Sequence, residues 1–158
     1  MDRKEVARLL ERAGWAEASI TSQASREALL PYALIAAMET YNTSHAVSFH
    51  SRIYRAKAFV RAARALFDRV EVRGERVVAS SVDGSMAPRE REEVLAAAFA
   101  SPCSLTANVK LLTHGVDRSM WDLLLMADPV RSVHEAQQIM GRVSRPSPGK
   151  ECAYVLLP

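Results

Sequence analysis

Short apolar runs bounded by turn signals alternate in this sequence with stretches that carry a helical period, and this alternation narrows the possible folds more than any other feature. The runs are Leu105 to Val109, Leu123 to Met126 and Tyr154 to Leu157, and Ala46 to His50 is a further short strand-like run. A strand buried on both faces has no polar side to show, so it reads as continuously apolar. Between the runs, Arg52 to Asp68 places Ile53, Ala56, Val60, Ala63 and Phe67 on one helical face. Pro88 to Ala100 likewise gathers Arg91, Val94, Leu95, Ala98 and Phe99 on one side. Val70 to Val72 and Val77 to Ser81 read either as a hairpin across Arg73-Gly74 or as a loop and one strand. Strands alternating with helices of roughly 10 to 15 residues imply right-handed βαβ units, hence an α/β fold of three layers around a mainly parallel sheet.

The 158 residues suffice for one domain with a real core. Ahead of the first strand the chain reads as helical. Asp2 with Glu5 caps a helix over residues 2 to 13, with Val6, Leu9, Leu10 and Ala13 on its apolar face and Gly14 at its end. A second helix is expected from Glu27 to Thr40, with Pro31 in its first turn, where a missing N–H costs nothing. Residues 1–44 are thus expected to form a helical lead-in and 45–158 the domain proper.

The start, M-D-R-K-E, lacks the apolar segment of a secretory signal, and the longest apolar run, Ala28 to Met38, is too short to span a bilayer. Cys103 and Cys152 belong to no C-x-x-C pattern, and with four scattered histidines they do not suggest a metal site. They read as packing residues, and Trp15 and Trp121 as core or interface anchors. The expectation is a reduced, cytoplasmic protein without structural metal or membrane contact. Net charge is only +3, yet the chain carries 17 Arg against 4 Lys. Guanidinium groups grip phosphate in a bidentate way, so the excess points mildly to a phosphate-bearing partner. A GC-rich genome produces the same bias.

The stretch with the most chemistry is Ser132 to Pro146, S-V-H-E-A-Q-Q-I-M-G-R-V-S-R-P. As a helix it would be capped by Ser132 and Glu135 and stopped by Pro146. Glu135, Gln138, Arg142 and Arg145 would line one stripe, and Ala136, Ile139, Met140 and Val143 the other. Two arginines behind Gly141, which permits close approach, suit phosphate oxygens. The spacing alone equally describes an amphipathic helix with a solvated polar face.

Ligands of parallel sheets sit outside the carboxyl ends of the strands. Those ends are His50-Ser51, Asp83-Gly84, Asn108 to Asp117 and Asp128-Pro129, so polar residues collect at one edge. No complete active site accompanies them. The only Gly-Lys pair, Gly149-Lys150, is followed by Glu151, so there is no phosphate-cradling P-loop. No G-x-G-x-x-G and no G-x-S-x-G occurs either, and no acids are paired as in a nuclease or glycosidase. The chemistry is that of an incomplete machine or a binding module.

Taken in order, the rim segments resemble the motifs of the second motor domain of superfamily-two helicases. Val47 to Arg52 resembles the strand-end motif that opens that domain. Val82-Asp83-Gly84-Ser85-Met86, with Arg91 and Phe99, resembles the segment that follows it. Leu105 to Asp117 is similar to the fifth helicase motif. Gln138 to Pro146 is similar to the sixth, Q-x-x-G-R-x-x-R. The flavour is that of bacterial restriction-type helicases and translocases, where an Asp-Pro-x-x-Ser segment, here Asp128 to Ser132, also precedes the sixth motif.

The resemblance implies a RecA-like fold and half of a two-domain motor. ATP with Mg²⁺ would lie between this domain and a first RecA-like domain that supplies the P-loop and the metal-binding acids. Arg142 and Arg145 match the arginine-finger positions, and Gln138 would order them or the attacking water. Gly115 and Asp117 match positions near the ribose. His50, Ser51, Arg52 and Gly84 match contacts to a nucleic-acid backbone (DNA by the flavour of the motifs), with Asn108, Lys110 and Thr113 on the same surface. The chain departs from the family pattern at His114, where relatives carry Glu or Arg, and at Arg118-Ser119. The isolated chain is expected not to hydrolyse ATP. Two other readings stay open: a stand-alone, non-catalytic module that binds nucleic acid or protein, and an unrelated nucleotide-binding α/β domain.

Overall fold

A computed structural model describes residues 23–109, 119–130 and 132–157. The expected helix over 2 to 13, Trp15, and the segment with Lys110, Thr113, His114, Gly115 and Asp117 lie outside them. In chain order the elements are α1 (Gln23–Thr40), β1 (His45–His50), α2 (Ile53–Phe67), β2 (Val77–Asp83), α3 (Pro88–Ala100), β3 (Cys103–Val109), β4 (Leu123–Met126), α4 (Val133–Val143) and β5 (Tyr154–Leu156). Five strands form one parallel sheet in the order β2-β3-β1-β4-β5. The expected α/β architecture is therefore the observed one.

Helices cover both faces. Alternate strand residues point to opposite sides. Ala46, Ala79, Leu105, Ala107, Leu123 and Leu125 meet α1 and α2 on one face. Val47, Phe49, Val82, Leu124 and Met126 meet α3 and α4 on the other. Both sets are buried, so these strands show no exposed polar face; β4 is wholly apolar, and the polar residues of β1 and β3, such as Ser48 and Thr106, are buried too.

The α2 face differs in detail from the expected one. Ala56, Phe59, Val60, Ala63, Leu66 and Phe67 are buried, whereas Ile53, at the first helical position, is exposed. Val70 to Val72 does not pair as a strand. Val72 and Glu75 bridge a tight turn whose central residues, Arg73 and Gly74, both have positive φ (55° and 78°). Two positive φ values in succession belong to the turn type that fits a two-residue reversal. The α1 helix begins at Gln23, so Pro31 lies inside it rather than in its first turn. Leu34, Ile35 and Met38 still pack into the core shared with α2. Trp121 is buried against Phe99, with ring centroids 5.7 Å apart. Among the described residues no helix is long and apolar enough to cross a membrane, and no group of His, Cys, Asp and Glu could hold a metal ion.

β1 lies at the centre of the sheet and is anchored to β4 beyond the strand ladder. At the amino end, Asp122 accepts hydrogen bonds from the backbone N–H of Ser44 (2.7 Å) and of His45 (2.9 Å). Its own N–H donates to the His45 carbonyl at 3.0 Å. Two amides bonded to one carboxylate become two unsatisfied amides when it is removed. Asp122→Ala should therefore destabilise the fold by about 2 to 4 kcal/mol, read as a lowered urea midpoint with an unchanged slope. A loss within error of zero would show that water replaces the carboxylate.

Candidate nucleotide and nucleic-acid site

The carboxyl rim of the sheet is built around Asp128, just past β4. This residue is 5% exposed and accepts three hydrogen bonds: from the Ser51 N–H (2.7 Å), the Ser51 hydroxyl (2.7 Å) and Arg55 Nη1 (2.6 Å). Burial acts to raise its carboxyl pKa, but the Ser51 amide and hydroxyl and the Arg55 guanidinium outweigh it and hold the group below the usual carboxylate value. Asp128 is thus a fixed anion that shapes the β1–α2 turn. Ser51 and Arg52 are carried at the surface of that turn. Arg52 occupies the N-cap position of α2 with no side-chain cap bond.

Beneath the turn lies His50. Its ring packs against Phe59, with centroids 5.0 Å apart, and shares a 3.0 Å hydrogen bond with the Ser48 hydroxyl. Burial pushes its pKa down to about 4, against the pull of Asp128 and with a small push from Arg55. At neutral pH it is an uncharged core side chain. At the end of β2, buried Asp83 accepts from the Ser85 N–H at 2.8 Å and from the Ser85 hydroxyl. This local turn leaves Gly84 exposed. Behind it, Arg91 of α3 donates to the Met86 carbonyl at 3.1 Å. Asn108, at the end of β3, is buried.

The motif-bearing helix α4 follows β4. Ser132 caps it as expected, accepting from the Glu135 N–H at 3.1 Å. Ile139 and Val143 are fully buried against the sheet, which fixes the helix's rotation. Gln138 is exposed and bonds His134 at 2.9 Å. The helix ends at Val143, with Ser144 as its C-cap. Arg142 therefore lies in the last turn, half-buried, whereas Arg145 lies beyond the helix and is exposed. The single stripe expected for both arginines is not formed, because the chain leaves the helix between them. Gly141 sits inside the helix, and a Cβ added there would meet nothing within 4 Å. No packing among the described residues requires a glycine at that point.

The structure thus groups Ser51, Arg52, Arg55 and Asp128 at one strand end, places Gly84 and Asn108 at neighbouring ends, and puts Gln138, Arg142 and Arg145 on α4 and just after it. Arg55 escaped sequence reasoning because its partner Asp128 is 73 positions away and only the β1–β4 pairing brings them together. The available signal was weak: a lone aspartate ending an apolar run.

Comparison with known proteins places this geometry. The family model described as helicase conserved C-terminal domain matches residues 28–147. The chain belongs to that family. Its five-stranded parallel sheet with helices on both faces is a RecA-like α/β fold. Among solved structures it is similar to the type ISP restriction-modification enzyme LlaBIII bound to DNA (17% identity, TM-score 0.69), over 97% of this chain and 11% of that one. It is also similar to the C-terminal part of the Fun30 ATPase domain (12% identity, TM-score 0.64), over 98% of this chain and 47% of that one. Domain 2 of the DEAD-box helicase Mss116p, bound to an RNA duplex, matches at 14% identity and TM-score 0.63, over 83% of this chain and 50% of that one. The chain therefore spans half or less of each of these solved chains. No curated protein sequence matches significantly.

The buried histidine yields a pH prediction. Its pKa is 6.5 when unfolded and about 4 when folded. Between those values the unfolded state binds more protons, so stability falls as pH falls through that window. The gap corresponds to on the order of 3 kcal/mol. Denaturant unfolding at pH 7.5 and 4.5 should show most of this loss for the native chain. His50→Gln, which keeps a partner for Ser48 but does not titrate, should show a clearly smaller one. Equal losses would place the acid sensitivity elsewhere.

Proposed function

We propose that this chain is the second motor domain of an ATP-dependent helicase or translocase, presenting Arg142 and Arg145 to ATP with Mg²⁺ held by a first RecA-like domain. The observation that carries the reading is the arrangement of α4. Its apolar side is locked into the sheet by Ile139 and Val143, while Gln138, Gly141, Arg142 and Arg145 stand toward the surface on or just after the helix. A glycine inside a helix costs about 0.5 to 1 kcal/mol relative to alanine. Nothing among the described residues repays that cost at Gly141, and a partner surface approaching the helix would do so.

Each guanidinium would neutralise charge building on the transferring phosphoryl group, a contribution on the order of 10³ to 10⁵ in rate. Gln138 would order them or the attacking water, and Gly115 and Asp117 would lie near the ribose. The sequence has no P-loop, and among the described residues no group of acids could hold a metal ion, so this chain would hold one side of the nucleotide. ATP, when bound, supplies the phosphoryl transfer that drives movement.

Nucleic acid, DNA by the restriction-type flavour of the motifs, would run along the strand-end rim. Ser51, Arg52 and Gly84 are exposed there and can meet backbone phosphates. Lys110 and Thr113 would extend that surface, and Asn108 and neutral His50 would support it from beneath. The cytoplasm is the compartment this reading implies.

In the motor formed by this chain and the P-loop domain that completes the nucleotide site, Arg142→Ala should lower kcat on the order of 10³-fold with ATP affinity largely kept. Loss of binding with normal turnover per bound nucleotide would reverse the assignment. Gly141→Ala separates fold from function. In the chain alone it should raise stability by about 0.5 to 1 kcal/mol, and in the assembled motor it should lower turnover. A variant both more stable and fully active would remove the argument from Gly141.

A further inference from the structure

One lysine outside the motifs reaches the segment that carries the arginines. Ser147 and Lys150 bridge a tight turn, with the Lys150 N–H donating to the Ser147 carbonyl at 3.0 Å. Pro148 and Gly149 occupy its centre, and Gly149 has φ 79°, the order and geometry that a proline–glycine turn requires. The turn sends the Lys150 side chain back toward the end of α4. There its ammonium donates to the carbonyls of Ser119 (2.8 Å), Arg145 (2.9 Å) and Val143.

An ammonium has three N–H donors and no acceptor, and three carbonyls converge on it here. Val143 is the last residue of α4, so its carbonyl has no partner within the helix. The Arg145 carbonyl belongs to the residue matched to the second finger. Ser119 opens the described chain ahead of β4. One cation therefore joins three backbone points: the end of the helix carrying Arg142, the backbone of Arg145, and the approach to β4.

We propose that Lys150 is a positioning residue that sets the Arg142–Arg145 segment for turnover through this three-carbonyl clasp. The inference rests on the finger reading and adds to it the element that holds the fingers in register. Arg145 lies outside the helix, so the backbone ladder of α4 does not hold it, whereas the clasp grips its own carbonyl. A planar guanidinium cannot aim three N–H groups at three converging carbonyls, so charge alone does not substitute for the tripod.

The test uses the motor assembled from this chain and its P-loop partner domain. Lys150→Met and Lys150→Arg should each lower kcat on the order of 100-fold, the scale for slight misplacement of a catalytic group, with KM for ATP changed less than about threefold. Gly149→Val provides a second route, because it disturbs the turn that aims Lys150 at a position where an added Cβ meets nothing within 4 Å. It should give the same kcat-specific loss even if Lys150→Met folds poorly. Amide exchange in the isolated chain should quicken at Ser144, Arg145 and Ser147 in both Lys150 variants, with β1 and β3 unchanged.

Arg142→Ala is run alongside. If it leaves kcat intact, the finger reading fails, whatever the lysine variants do. If it lowers kcat while Lys150→Met and Gly149→Val turn over normally, the clasp inference alone is overturned. Full activity in Lys150→Arg would also overturn it, as would losses confined to KM.

Discussion

The pairing of β1 with β4 is the constraint on which the site depends, and two carboxylates hold it at opposite ends. Asp122 binds the amides of Ser44 and His45 where the strands begin. Asp128 binds the Ser51 amide and hydroxyl, and Arg55, where they end. Between them the ladder runs in register from Ala46↔Leu123 to Phe49↔Met126. A parallel ladder is slightly weaker per residue than an antiparallel one and has no hairpin to set its register. Carboxylates that accept backbone N–H groups at both ends supply that missing definition. Because β4 leads directly into α4, the same anchoring fixes where the arginine-bearing helix starts.

The rim and the arginine segment are therefore held by different physics. Charge-assisted bonds to a buried anion hold the rim, and they are stronger than neutral ones. The core of α4 is held by burial of Ile139 and Val143. The short stretch after it is held by a proline–glycine turn and one lysine.

Much of this was legible in the residue order. Strands buried on both faces carry no polar alternation, so Leu105 to Val109 and Leu123 to Met126 stood out as apolar runs, and their alternation with helical stretches gave the parallel sheet. Ser132 with Glu135 marked the start of α4 correctly, because a cap is a local bond. Long-range features were not legible. The Arg55–Asp128 contact exists only once β1 and β4 are adjacent. His50 and Ser51 are neighbours in sequence, yet the pleat turns His50 into the core against Phe59 and leaves Ser51 on the turn. Pro31 misled in the other direction. Proline favours a first turn, but here tertiary burial of Leu34, Ile35 and Met38 accompanies a helix that runs through it.

The helix end matters most for function. A stripe drawn at three- and four-residue spacing assigns Arg142 and Arg145 one rigid support. Termination at Val143 gives them two: a helical turn packed on the sheet for Arg142, and an irregular backbone for Arg145. Two cations on one rigid stripe could move only together. Lys150 ties the backbone of Arg145 to the Ser119 carbonyl and to the Val143 carbonyl at the end of α4. Arg142 thus rests on a helical turn, and Arg145 on a backbone bonded through Lys150.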